Sequence, residues 1–104
     1  MTGNRSMAAL LAELAAALPE ARATSSGGRT EWSRRGVTFA SLEADAVELR
    51  LDAAIAGAAV RTPDTSPSPR GAPWVRFVPP ELDDHAVDRV GAWFGLAYRR
   101  AAAT

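Results

Sequence analysis

The amino-acid sequence predicts an α+β domain, a four-stranded antiparallel sheet with N- and C-terminal helices packed on one face. Three observations predict it. Met7, Leu10, Leu11, Leu14 and Leu18 recur at helical spacing near the start of the chain. Val87, Val90, Phe94 and Ala97 form a second helical stripe near its end, widened by Trp93. Between them, Val47-Glu48-Leu49-Arg50-Leu51 alternates with a period of two, as a strand with one buried and one wet face must.

The elements follow in order. Ser6 stands where a helix cap belongs and Pro19 where the first helix must stop; residues 1–5 ahead of it read as a disordered tail. Residues 23–28, small and polar and ending in two glycines, read as a loop. Residues 29–35 alternate, with Thr30, Trp32 and Arg34 on one side and Glu31, Ser33 and Arg35 on the other. Gly36 breaks that strand before the strand formers at 37–42. Glu43-Ala44-Asp45 reads as a turn, and the strand at 47–51 completes a meander. Asp52 can cap a short helix over 53–60. Residues 61–73 hold four of the seven prolines and read as a loop rather than an element. Trp74-Val75-Arg76-Phe77-Val78 is the fourth strand, ended by Pro79-Pro80, and Asp83 or Asp84 caps the last helix.

The chain of 104 residues fits a single domain. Twenty-three alanines leave 26 larger apolar side chains, so the fold must lean on a few bulky ones, and Trp32, Trp74, Trp93, Phe39, Phe77 and Phe94 should matter out of proportion to their number. All twelve basic residues are arginine, and lysine, glutamine and cysteine are absent, a usage that points to a GC-rich, actinobacterial genome. The lack of cysteine excludes disulfides, thiolate catalysis and cysteine-ligated metals. The apolar run at 7–18 is too short and too rich in alanine to span a bilayer, and it carries no cleavage pattern. The expected address is the cytoplasm, with no membrane partner.

Several local spacings resemble the small YjbR/MmcQ-type domains, whose fold is similar to that of frataxin and CyaY. The residues that carry the resemblance are Leu18-Pro19, Gly36-Val37-Thr38-Phe39, Val47-Glu48-Leu49-Arg50, Pro73-Trp74-Val75 and Ala97-Tyr98-Arg99, spread over residues 8–100. A related resemblance is to small actinobacterial domains labelled "luciferase domain", which share the Trp-Val strand entry and the Tyr-Arg finish. The histidines of that family are missing here, so no activity is carried over. The YjbR-type resemblance implies DNA binding.

No nucleophile elbow, phosphate loop, dinucleotide fingerprint or zinc-protease motif occurs. His85 is the sole histidine; beside Asp83, Asp84 and Asp88 it suggests a metal ligand or proton shuttle, but zinc sites need three or four ligands, and a surface residue at a helix start explains it better. No cofactor or metal is implied. Glu31, Glu43 and Glu48 could supply a carboxylate pair, although acids alternating on a half-exposed strand are usually solvated. The proline-rich 61–73 segment reads as a connector or a binding loop.

If Val47, Leu49, Leu51, Val75 and Phe77 face the helices, then Glu48, Arg50, Trp74 and Arg76 face away. Tryptophan and arginine dominate binding hot spots. The leading expectation is therefore a non-enzymatic binding domain that uses this open face and the 61–73 loop. Its partner would be a protein, an anionic small molecule or a second copy of the chain. The alternative is a small accessory enzyme or ligand-binding protein with a pocket between sheet, last helix and loop, drawing on Arg50, Arg61, Asp64, Arg76 and Tyr98. DNA binding ranks last, because a net charge of zero offers few phosphate contacts. A fluorescence titration against duplex DNA at near-physiological salt is expected to show no submicromolar, salt-sensitive affinity.

Overall fold

The computed structural model describes residues 6–102, so the tail expected at 1–5 lies outside the described residues. Its first helix, α1 (Met7–Ala16), begins where Ser6 Oγ accepts from the Ala9 amide at 3.0 Å, satisfying one of the orphan donors of the first turn. Met7, Leu10 and Leu11 are its buried stripe. The chain then runs through β1 (Ala21–Ser26), β2 (Arg29–Arg34), β3 (Val37–Glu43), β4 (Ala46–Arg50), α2 (Ala53–Ala59), β5 (Thr65–Pro67), β6 (Trp74–Phe77) and α3 (Asp84–Ala102). Asp83 Oδ1 accepts from the Ala86 amide at 2.9 Å and caps α3.

The α+β class and the antiparallel sheet are as expected, but the sheet has six strands in the order β1-β2-β3-β4-β6-β5, not four. The two extra strands sit at its edges. Residues 23–28 are not a loop: most of them belong to β1, which pairs with β2 along all six of its residues. Five of the six are exposed, so β1 carries no apolar alternation to betray it. Gly27 and Gly28 close this hairpin with positive φ angles of 58° and 80°, the combination a two-residue hairpin turn of primed type requires. Segment 61–73 likewise contains an element. Thr65-Ser66-Pro67 pairs with β6, three residues too few to leave a periodic signal.

One irregularity orders the sheet. Trp32 pairs with Ala40 but Ser33 pairs with Thr38, leaving Phe39 as an extra residue on β3. Such a bulge puts two successive side chains on one side. Phe39 and Ala40 are both fully buried, and Phe39 meets Phe94 and Tyr98 of α3 edge-on at 5.3 and 5.9 Å. Trp32 reaches Phe94 at 5.7 Å, and Phe77 reaches Trp93 at 5.4 Å. Edge-to-face contacts at these separations are the favoured aromatic geometry. The inner face of the sheet, α1 and α3 thus share one core.

Tyr98 also pins the corner where α1 hands over to β1, because its hydroxyl donates to the Pro19 carbonyl and its ring lies 4.0 Å under the Arg34 guanidinium. Glu20, at a positive φ of 71°, accepts from Arg35 at 2.8 Å and from Arg34 at 3.3 Å. The hydrogen bond from Arg35 holds the Glu20 carboxyl below its usual range. Phe94 is fully buried among three elements, so Phe94→Ala is expected to cost about 3–5 kcal/mol in urea denaturation. Val47→Asp, which buries a charge at a fully enclosed position, is expected to prevent folding altogether, read by loss of the cooperative transition.

Candidate functional site

Beyond the helix-covered face lies a second surface, built by strand register. Thr24, Glu31, Ser41, Glu48, Arg76 and Ser66 are consecutive partners across β1, β2, β3, β4, β6 and β5. They form one row on the outer face, with Arg29 and Glu43, and then Arg50 and Trp74, as paired neighbours beside it. The row's polarity is dictated from behind: Val47, Leu49, Val75 and Phe77 fill the core, so the intervening residues must look outward.

This face is not open throughout. After β5 the chain continues antiparallel to β6, with the Ser68 amide donating to the Trp74 carbonyl at 3.1 Å. Segment 68–70 thereby comes to lie over β4. Ser68 Oγ donates to Glu48 Oε2 at 2.9 Å and accepts from the Arg70 amide at 3.0 Å. Arg70 then spans three strands. Its Nε donates to Glu48 on β4 at 2.9 Å and its Nη2 to Glu31 on β2 at 2.8 Å, so the guanidinium crosses the β3 position between them, which is Ser41. Its face also lies 4.4 Å from the centre of the Trp74 ring. Burial works against the Arg70 charge, but the hydrogen bonds to Glu31 and Glu48 outweigh it and hold the guanidinium above its ordinary value.

The result is an alternating chain of charge. Glu43 takes Arg29 at 3.0 Å, Arg29 lies 3.8 Å from Glu31, and Arg70 joins Glu31 to Glu48. Arg76 ends it, 3.9 Å from Glu48. Between these groups opens a cleft of about 240 Å³ lined by Arg29, Ser41, Glu43, Glu48, Arg70 and Arg76, with Ala46 and Pro69.

Of the residues expected to bind, Glu48, Arg50, Trp74 and Arg76 do share the outer face. Glu48 is buried beneath segment 68–70, Arg50 and Trp74 are half-buried, and Arg76 is exposed. The rest lie elsewhere. Asp64 stands 4.0 Å from Arg89 of α3, in the connection after α2, and Arg61 is exposed at the end of that helix. Tyr98 belongs to the core on the opposite side of the sheet. A pocket between sheet, last helix and loop therefore cannot be lined by Arg50, Arg76 and Tyr98 together. The three acids weighed as a carboxylate pair are brought onto one face, but each is engaged by an arginine. His85 is exposed in the first turn of α3, and among the described residues no three His, Asp or Glu side chains gather around a metal position. No described helix is long and apolar enough to cross a membrane.

Arg29, Ser41, Ser68 and Arg70 complete the site and were not singled out from sequence. Arg70 sits in a proline-rich run whose path is set by pairing with β6, and Ser41 faces outward because of the bulge two residues earlier. No family model, curated protein or solved structure matches the chain.

Replacing Glu48 with alanine leaves Ser68 without its acceptor and Arg70 with one of two. A cost of about 1–3 kcal/mol is expected in urea denaturation, with faster amide hydrogen exchange confined to segment 68–74. Arg76→Ala, which removes one long ion pair on an exposed side chain, is expected to stay within about 0.5 kcal/mol of the parent.

Proposed function

We propose that this domain binds rather than catalyses, and that its recognition surface is the outer face of the sheet where segment 68–70 crosses it. One observation carries the reading: Arg70 is fixed from two strands and from the Trp74 ring, so the cleft beside it is preformed. Exposed ion pairs add little to stability, and burying an acid such as Glu48, 8% exposed, has a desolvation cost that the pairing must offset. What such a network supplies is position. Preorganised donors in a cleft lower the cost of ordering side chains on binding.

Catalysis fits the same geometry less well. A general base must reach the proton it removes, yet Glu48 commits one oxygen to Ser68 and the other to Arg70, and Glu43 commits an oxygen to Arg29. Duplex DNA also fits less well, since the arginines of this face are matched by glutamates along the chain of contacts. We assign the fold to the CyaY/YjbR type on its order of elements, two terminal helices sharing a core with one face of a continuous antiparallel sheet.

The rival surface is an apolar groove of about 250 Å³ between α2 and β6, lined by Ala56, Val60, Pro73 and Trp74 among others. A fragment library titrated into the isotope-labelled chain and read by amide chemical shifts separates the two. Hits are expected to cluster on Ser41, Glu48, Arg70 and Arg76. Clustering on Ala56, Gly57 and Val60 instead would move the recognition surface to the groove.

A further inference from the structure

β1 is one edge of the sheet, and the hairpin it forms with β2 defines which of its backbone groups stay free. The two-residue turn at Gly27 and Gly28 makes Ser26 and Arg29 a pair that exchanges both backbone hydrogen bonds. Such pairs alternate along an antiparallel ladder, so Arg22, Thr24 and Ser26 turn their N–H and C=O groups toward β2. Ala21, Ala23 and Ser25 turn theirs toward the open edge. The Ala21 amide is taken by the Leu18 carbonyl at 3.3 Å, and among the described residues the edge groups of Ala23 and Ser25 meet no protein partner. Natural sheets blunt such edges with proline, lysine, a bulge or short length. The far edge is blunted: β5 has three residues and ends in Pro67. β1 carries none of these devices, with six residues in unbroken register and five of them exposed. Its single charge is Arg22, which is exposed and makes no ion pair among the described residues.

We infer that β1 is the docking edge for a second copy of this chain, the two β1 strands pairing antiparallel about a twofold axis so that two six-stranded sheets become one. Opposed residues of an antiparallel pair point to the same side, and an axis through the sheet keeps helix-covered face beside helix-covered face. The two registers that satisfy this and overlap most of the strand are centred on Ala23 and on Thr24. Charge separates them. Centred on Thr24, Arg22 opposes Ser26 of the second copy, which Arg29 backs in its own sheet, and like charges share a row. Centred on Ala23, Arg22 opposes Thr24 of the second copy, which Glu31 backs. Arg22 then faces Glu31, whose side chain is 38% exposed, across two strand spacings of about 10 Å in all. The threonine between them is small enough to reach over, and symmetry makes the contact twice. Ala23 exchanges both backbone bonds with its own copy, and each Ser25 amide reaches the other Ala21 carbonyl. Every free donor of the edge is then used. A strand of unrelated sequence would meet the same backbone groups without supplying the two charge pairs. The twofold closes the assembly at two copies, and the blunted β5 edge gives the sheet nowhere further to grow. No residue of β1 lines the outer cleft, so the pairing is independent of what that cleft holds.

One strand pair of small side chains buries less than a standard interface, so the association is weak. Sedimentation velocity of the full chain from micromolar to millimolar concentration is expected to show monomer passing to dimer with a Kd of about 100 µM, and nothing larger. Ala23→Pro removes an edge donor and leaves the ladder to β2 intact; it is expected to abolish the dimer while the Tm holds. Arg22→Glu sets like charges together and is expected to weaken the dimer about tenfold, more at low salt. The chain has no cysteine of its own, so an introduced thiol reports the register. On the Ala23 axis two Cα atoms lie about 5.5 Å apart, within disulfide reach, and mild oxidation is expected to cross-link Ala23→Cys severalfold faster than Thr24→Cys. A chain still monomeric at millimolar concentration, or a dimer indifferent to both Ala23→Pro and Arg22→Glu, would overturn the docking edge. Faster cross-linking of Thr24→Cys would overturn the Ala23 register, and species that keep growing with concentration would overturn the closed pair. If Ala23→Pro does not fold, Arg22→Glu and the two thiol variants, all at exposed positions, decide the matter alone.

Discussion

The two faces of this sheet are set by one extra residue. A regular β3 would place Val37, Phe39 and Ser41 on one side and Thr38, Ala40 and Leu42 on the other. Its core would then lose either Phe39 or Leu42, and both are buried. The bulge opposite Trp32 and Ser33 resolves the conflict by letting Phe39 and Ala40 point the same way. Phe39 reaches Phe94 and Tyr98, Leu42 keeps its place in the core, and Ser41 turns outward between Glu31 and Glu48. Core and cleft are consequences of the same local geometry.

The composition makes that geometry valuable. With so many alanines, burial depends on a small number of rings, and Phe39, Phe94, Trp32 and Tyr98 form a connected set across β2, β3 and α3. Alanine has a complementary use on α3, where Ala86, Ala97 and Ala101 are buried and let the helix approach the sheet closely. The corner at Pro19 and Glu20 is tied to the same set through Tyr98 and Arg34. A change at the bulge would therefore propagate to the α1–β1 connection as well as to the outer face.

Much of this was legible in the sequence because hydrophobic periodicity reports burial. Both long helices and the inward and outward sets of β4 and β6 follow from it, while the caps were legible from polar residues at the helix starts, Ser6 for the first and Asp83 or Asp84 for the last, which the structure resolves to Asp83. Edge strands escape the same logic. β1 is exposed on nearly all its residues, and β5 has only three, so pairing with a neighbour defines them rather than their own pattern. The outer-face residues of the central strands were legible as outward, but their companions were not. Arg29, Ser41, Ser68 and Arg70 come together through register and through the path of segment 68–70, which depend on long-range pairing. Tyr98 shows the converse: a tyrosine at the end of a helix looks available for binding, yet here its ring and hydroxyl are both spent on internal contacts.

The exclusive use of arginine, which base composition alone can explain, acquires a structural role at one position. Arg70 donates from Nε to one strand and from Nη2 to another, and lays its face on Trp74. A lysine ammonium is a compact point charge on a flexible stem; it could pair with Glu31 or Glu48 but offers no planar surface and no fixed angle between donors. The span from β2 to β4 covers two strand spacings, about 10 Å between backbones, and Ser41 beneath it must be small for the guanidinium to pass. A larger residue at 41 would lift Arg70, separate it from Glu31 or Glu48, and free segment 68–70 from the sheet. The cleft is thus shaped by a planar cation lying across a small residue.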